Sequence, residues 1–264
     1  MYEFAYHRPT SLGEAVSLLA GSEDAKLIAG GHTFIPTLKQ RLAQPSDLID
    51  LNGISELKGI KEEAGGLTIG AMTRHADVAH GEVVKRVIPA LAALAELIGD
   101  PQVRHRGTLG GSISNNDPAA DYPGAVVGLG ATVRTNKREI PADDFFLGMF
   151  ETALERDEIV TAVHFPKPEK AAYAKFPHPA SRYAIAGVFV AKTPSGVRVA
   201  VTGAGPTVFR WKEAEQALGG NFAASALDGL TVDPSRLNGD IHASAEYRAN
   251  LVKVMAKRAV ETAG

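Results

Sequence analysis

The chain has 264 residues, 45% hydrophobic and 22% charged, with a formal net charge of −2. That length supports a sizeable core and two or three domains. The spread-out Lys and Arg residues form no basic stripe for nucleic acid, and no apolar run is long enough to span a membrane. The cysteine count is zero, so this chain holds no disulfide, no thiolate-ligated zinc, no iron–sulfur cluster and no thiol nucleophile. The N-terminus shows no charged segment followed by an apolar one, which predicts no secretory signal and cytoplasmic residence. The histidines form no close-set metal pattern, and no Gly-x-Ser-x-Gly elbow is present.

Ser11 and Glu14 read as a capping box opening a helix that Gly21 stops. Lys26 to Ala29 is a short buried strand running into Gly30-Gly31-His32-Thr33-Phe34. A helix follows through Leu38 and Arg41, then a strand over Asp47 to Leu51. A glycine turn between a strand end and a helix start suits an anion, because free N–H groups and the helix dipole face it. Neither Gly-x-Gly-x-x-Gly nor a P-loop is present.

Leu57 to Lys61 and Leu67 to Ala71 form a hairpin joined through Ala64-Gly65-Gly66. Thr73 is expected to cap a helix containing Ala76 and Val78. Pro89 opens an apolar core helix through Ile98, closed by Gly99. Arg104, His105 and Arg106 could neutralise a pyrophosphate, but read individually as solvated.

The stretch from Thr108 to Pro123 is dense in hydrogen-bonding groups. It holds adjacent glycines at 110 and 111, hydroxyls at Thr108, Ser112 and Ser114, Asn115 and Asn116, and carboxylates at Asp117 and Asp121. Paired glycines permit close backbone approach and can expose N–H groups to an anion. The same residue types dominate ordinary turns, so a ligand loop and a plain polar loop both fit.

A small-residue helix follows over 124–130, and then a hairpin over 131–140. Asp143 or Asp144 is expected to cap a short helix with Phe145, Phe146 and Leu147. Glu158 to Phe165 reads as a strand, and Pro166-Lys167-Pro168-Glu169 as a domain boundary. The last third opens with Ala172 to Phe176, then strands over 184–191 and 197–203 make an antiparallel sheet. Helices follow over 211–218, 223–227 and from Ser244, the last burying Tyr247, Leu251, Val254 and Met255.

The motifs Ala29-Gly30-Gly31-His32-Thr33 and Thr108-Leu109-Gly110-Gly111-Ser112, followed by Asp121, resemble the flavin-binding medium subunit of the molybdenum hydroxylases. The carbon monoxide dehydrogenase branch is the nearer likeness, and the FAD segment of xanthine dehydrogenase a more distant one. The resemblance covers essentially the whole chain, including Thr68 to Thr73, Ser181 to Ala184 and Ser244 to Arg248.

It implies an α+β protein: a two-subdomain FAD-binding fold of the vanillyl-alcohol-oxidase/PCMH type plus a C-terminal antiparallel sheet with a helical bundle. The implied boundaries are 1–55, 56–168 and 169–264. Leu27, Ile28, Ala29, Gly30, Gly31, His32, Thr33 and Phe34 would wrap the FAD pyrophosphate. Thr108, Leu109, Gly110, Gly111 and Ser112 would form the second flavin loop, with Ser112 standing where Asn is common in the xanthine dehydrogenase relatives. Asp121 would bind the ribityl or adenosine side, Ile98 would be an apolar contact and Val160 a backbone contact. Lys175 and Tyr183 would face the isoalloxazine.

The implied partners are a large molybdenum-cofactor subunit and a small [2Fe-2S] subunit, in a dimer of heterotrimers. The missing cysteines agree with clusters carried elsewhere. The implied role is electron transfer from those clusters through FAD to an acceptor, with no acid–base pair and no metal in this chain. Two alternatives are a self-contained FAD-dependent oxidoreductase and a non-catalytic nucleotide-binding assembly module.

Overall fold

The computed structural model describes residues 1–63 and 65–264. The chain opens with β1 (Ala5–His7), α1 (Leu12–Gly21), β2 (Lys26–Ile28), α2 (Phe34–Lys39) and β3 (Asp47–Asp50). The three strands form a parallel sheet of order β1-β3-β2. Ser11 Oγ caps α1 by accepting from Glu14 N at 3.3 Å, while the Glu14 carboxylate accepts from Thr10 N at 2.9 Å. The box is thus shifted by one residue at its return bond. The helix includes Gly21 and ends at Ser22.

Next come β4 (Ile60–Glu63) and β5 (Gly66–Gly70), an antiparallel pair. Ala64, in the turn expected between them, lies outside the described residues. Five helices follow: α3 (His75–His80), α4 (Glu82–Val87), α5 (Pro89–Glu96), α6 (Pro101–Arg106) and α7 (Leu109–Asn115). Then come α8 (Tyr122–Gly128), β6 (Thr132–Thr135), β7 (Glu139–Pro141), α9 (Ala142–Phe145), the hairpin β8 (Phe146–Gly148) with β9 (Glu151–Thr152), and β10 (Val160–Pro166). Here β4-β5-β10-β6-β7 make one antiparallel sheet.

The last sheet runs β11 (Lys170–Pro177), β12 (Ala184–Thr193), β13 (Gly196–Thr202), β14 (Phe209–Arg210), all antiparallel. The helices α10 (Lys212–Gly220) and α11 (Ala245–Ala263) pack against it. The alternation of side chains along a strand explains the unbroken apolar run of β12. Ala186, Val188 and Val190 join the core beneath α10 and α11. Phe189 and Ala191 face the other way, into the core shared with α5 and α8. A strand buried on both faces has no polar side to show.

Several expectations are corrected. The stretch after Thr108 is a helix, because Leu109 and Ile113, four residues apart, are both fully buried. Thr73 caps nothing: its hydroxyl bonds Gly59 O and accepts from Gly59 N, each at 3.1 Å. Asp143 pairs with Arg198 and Arg210 rather than capping α9, and Phe146 belongs to β8. α2 stops at Lys39 because Arg41 is left-handed, at φ 59°. Tyr247 is 45% exposed and stacks edge-on against Phe176, so the apolar stripe of α11 runs through Leu251, Met255 and Ala259.

A candidate cofactor-binding site

The site is assembled from two glycine-bearing segments at the starts of short helices. The first runs from the end of β2 into α2. Asn52 Nδ2 ties it to β3, donating to Ala29 O at 2.9 Å and Asp50 Oδ1 at 2.7 Å. Among the described residues, the N–H groups of Gly31, His32, Thr33 and Phe34 meet no protein acceptor. These are unengaged donors at a helix start, on residues that line a cavity, which suits an anion.

The second segment is different. Leu109 N donates to Thr73 O at 3.0 Å, Gly110 N to Ala71 O at 2.8 Å, Gly111 N to Thr108 Oγ1 at 3.2 Å and Ser112 N to Thr108 O at 3.0 Å. Its amides are engaged inside the protein, so the expectation of exposed N–H groups there is corrected. What it offers outward is small backbone and the hydroxyls of Thr108 and Ser112.

Gly30 lets the first segment lie against the backbone just before the second, and Gly110 seats the second on the end of β5. A Cβ at Gly30 would collide with the backbone of Arg106 and Gly107, and one at Gly110 with Ala71, 2.8 Å from its carbonyl oxygen. The missing side chains permit backbone to lie on backbone.

Between the segments lies a cavity of about 720 Å³, a volume ordinary for a bound small molecule or cofactor. Of the residues expected from sequence, Leu27, Ile28, Ala29, Gly30, Gly31, His32, Thr33, Phe34, Ile98, Thr108, Gly110, Gly111, Ser112, Asp121, Val160 and Tyr183 line it. Two do not. Leu109 is fully buried in the core on the far side of α7. Lys175 stands behind the wall, its ammonium 2.7 Å from Leu97 O and 3.1 Å from the Asp121 carboxylate, with a side chain only 3% exposed.

Asp121 is therefore the outward member of a buried trio. Tyr173 OH donates to its Oδ1 at 2.5 Å. Burial pushes the Asp121 carboxyl up, against the opposing pull of the Lys175 ammonium and the Tyr173 hydroxyl. A carboxylate offers about four lone-pair sites, so it can still accept from a ligand hydroxyl.

His75 also lines the cavity and carries no signal in the sequence that would have marked it. It is 5% exposed, its ring stands 5.2 Å from that of Tyr122, and its Nδ1 has no partner among the described residues. Burial, with lesser repulsion from His32 and Arg104, lowers its pKa to about 4. It is a neutral imidazole at ordinary pH. Phe150, held left-handed at φ 57° with its N–H on Asn116 O, reaches the cavity from the β8–β9 turn. Arg104 is not solvated as expected: it is buried, bonding Glu96 at 2.8 Å and Ile98 O at 3.1 Å. That clasp fixes the Ile98 segment at the cavity wall.

The arrangement fits FAD. Free amides suit its pyrophosphate, Asp121 and the hydroxyls suit a polyol, and Ile98 and Tyr183 add an apolar and an aromatic side chain to the lining. An orphaned imidazole nitrogen in the same cavity is the kind of buried polar group a ligand completes. Hydrogen bonds to a charged phosphate contribute roughly 1.5–3 kcal/mol each, enough for a few donors to hold such a group without a covalent link.

Comparison with known proteins agrees. Residues 2–168 match the FAD binding domain in molybdopterin dehydrogenase, and residues 171–263 match the CO dehydrogenase flavoprotein C-terminal domain. The chain is 38% identical to the carbon monoxide dehydrogenase medium chain of Hydrogenophaga pseudoflava, covering 98% of this chain and 96% of that one. It is 36% identical to the nicotine 6-hydroxylase medium subunit of Paenarthrobacter nicotinovorans, with the same coverage. A solved structure of CO dehydrogenase from Oligotropha carboxidovorans superposes with a TM-score of 0.93 at 36% identity, covering 99% of this chain and 98% of its counterpart.

Proposed function

The chain belongs to the FAD-binding medium-subunit family of the molybdenum hydroxylases, and we propose that it is the electron-transfer subunit of such a complex. In this reading a bound FAD would supply the redox chemistry that links the iron–sulfur clusters of a small partner subunit to an acceptor. A large partner subunit would carry the molybdenum cofactor, and the assembly would be a dimer of heterotrimers in the cytoplasm. Supporting this, the chain has no cysteine with which to hold a cluster of its own.

The residues have separable tasks. Gly31 to Phe34 present amides to the pyrophosphate. Thr108 and Ser112 offer hydroxyls across from them. Asp121 accepts from the polyol side, and Ile98 and Tyr183 shield the ring. The proposed division at 1–55, 56–168 and 169–264 would keep each sheet within one part, with the cofactor between the first two parts and Tyr183 arriving from the third. Lys175 acts at one remove, through Asp121.

The observation that carries the proposal is the row of unpartnered amides facing a cavity closed by a second glycine segment. The test is a visible spectrum of the chain, purified alone and with its genomic neighbours, with identification of released cofactor and bound metals. Released FAD, with iron and molybdenum in the second preparation, is expected. Colourless protein in both would overturn it. Turnover of an organic substrate by the isolated chain would replace it with a self-contained flavoenzyme.

A further inference from the structure

The six residues 178–183 join β11 to β12 and carry Ser181, Arg182 and Tyr183 to the cavity. Three side chains tie this connection: Ser181 Oγ accepts from Tyr183 N at 3.3 Å, Arg182 donates to Gly99 O at 3.3 Å, and His178 engages two of its amides at once. His178 Nδ1 accepts from both Ala180 N and Ser181 N at 3.2 Å. The His178 main chain closes the turn from both sides: its N–H donates to Tyr183 O at 2.8 Å, and its carbonyl accepts from Arg182 N at 2.9 Å.

Because Nδ1 is an acceptor, the ring proton sits on Nε2. Nε2 faces His242 Nδ1 at 3.3 Å, with the rings edge-on at 4.5 Å. His242 is in turn held by the core. Its N–H donates to Asp240 Oδ1 at 2.8 Å, and Asp240 Oδ2 accepts from Arg248 at 2.7 Å. Arg248 is buried and also donates to Ile185 O and Gly203 O, at the starts and ends of the neighbouring strands. A continuous chain of bonds thus runs from a buried arginine on α11 to the backbone that presents Tyr183.

We propose that His178, oriented by His242, is a positioning residue that fixes the 178–183 turn and so holds Tyr183 at the flavin. It touches no cofactor itself. The proposal rests on the FAD reading for its consequence, and on the turn alone for its mechanism. A side chain that merely fills space would tolerate any residue of similar bulk. The clamp instead needs an acceptor two and three residues ahead of the amides it binds. Asn meets that need, since its side-chain oxygen bonds the backbone two residues on, and Leu does not.

The experiment uses the FAD-loaded protein, co-expressed with its neighbours, as His178→Leu, His178→Asn and Tyr183→Ala. Amide exchange of the 178–184 peptide is followed at one fixed pH, together with the flavin absorption and fluorescence. His178→Leu is expected to exchange about tenfold faster there and to move the flavin spectrum toward that of Tyr183→Ala. His178→Asn is expected to restore both. Unchanged exchange in His178→Leu, or equal loosening in Leu and Asn variants, overturns the clamp. A flavin spectrum unmoved by Tyr183→Ala overturns the consequence for the cofactor, whatever the turn does.

Discussion

The Lys175 ammonium bridges two parts of the cavity wall, lying 2.7 Å from the carbonyl of Leu97 and 3.1 Å from the carboxylate of Asp121. Leu97 ends the helix that leads to Ile98, and Asp121 begins α8. A strand of the C-terminal sheet therefore sets the spacing between an apolar and a polar contact of the same ligand. Removing one partner of a buried ion pair leaves the other uncompensated, at a cost of about 3–5 kcal/mol. Lys175→Met is expected to lose stability on that scale by urea unfolding and to weaken FAD retention. Adding Asp121→Asn to it should recover part of the stability and none of the FAD affinity. Equal losses in the single and double variants would show that the pair is not coupled.

The glycine contacts predict a second outcome. A Cβ at Gly30 meets the backbone of the opposite segment, which has no rotamer by which to yield. Gly30→Ala should therefore prevent the two segments from closing and abolish FAD retention, without the bulk of a larger residue. Gly110→Ala should do the same by lifting α7 from Ala71. Gly13→Ala, where nothing lies within 4 Å of the added atom, is the control. Full flavin occupancy in the first two variants would remove the close approach from the argument.

Much of this was readable beforehand, and the failures have causes. The β2 turn into α2, the β4–β5 hairpin and the antiparallel pairing of β12 with β13 follow from strand length and turn residues, whereas β1 and the joining of β4, β5, β10, β6 and β7 into one sheet rest on contacts between segments distant in the chain. The helix after Thr108 does not follow either, because two glycines and several hydroxyls disfavour a helix locally. Tertiary contacts override that preference: Leu109 and Ile113 enter the core, and Ala71 and Thr73 accept the first amides. The Thr108 cap with apolar residues at 109 and 113 was the available signal. Lys175, expected at the isoalloxazine, instead lies behind the wall, because the carboxylate that holds it sits 54 positions earlier in the chain. His75 and His178 act through atoms that only the folded chain brings near.

Tyr183 sits at the cavity mouth, 45% exposed, with burial and the nearby Asp117 and Asp121 raising its phenol pKa. It stays a neutral ring at working pH. Tyr183→Phe should leave the flavin spectrum nearly unchanged, whereas Tyr183→Ala should shift it and raise flavin fluorescence. A large change in the Phe variant would assign the effect to the hydroxyl instead.

His75 gives a pH prediction with a definite sign. Its folded pKa, near 4, lies below its ordinary value of 6.5. Below pH 6.5 the unfolded chain takes up a proton that the folded chain refuses, so stability falls as pH drops from 6.5 toward 4. Each pH unit contributes about 1.4 kcal/mol, or about 3 kcal/mol across that window. His75→Gln should flatten this part of the curve, and the wild-type ring should show neutral chemical shifts from pH 8 to 5. A ring that titrates near 6.5 in the folded protein would contradict its enclosure.

Glu158 acts in the next window down. Its carboxylate, fully screened from solvent, accepts from Arg138 at 2.9 Å, Glu155 N at 2.9 Å and Thr135 Oγ1 at 2.7 Å. The Arg138 bond, with help from the Glu155 amide and Thr135 hydroxyl, lowers its pKa to about 2 against the effect of burial. Its stabilisation is whole above pH 4.5, the ordinary value, and is lost as pH falls from there toward 2. Glu158 also lines the cavity beside Ile159 and Val160. Acid should therefore loosen that wall after His75 has begun to charge, giving two separable phases. Glu158→Gln should make the curve shallower below pH 4.5, where Asp47 and other paired carboxylates also contribute, and leave the upper phase intact. Chemical denaturation of both variants from pH 7 to 3 distinguishes them, and a Glu158→Gln curve parallel to wild type below pH 4.5 would show that this carboxylate carries none of the acid response.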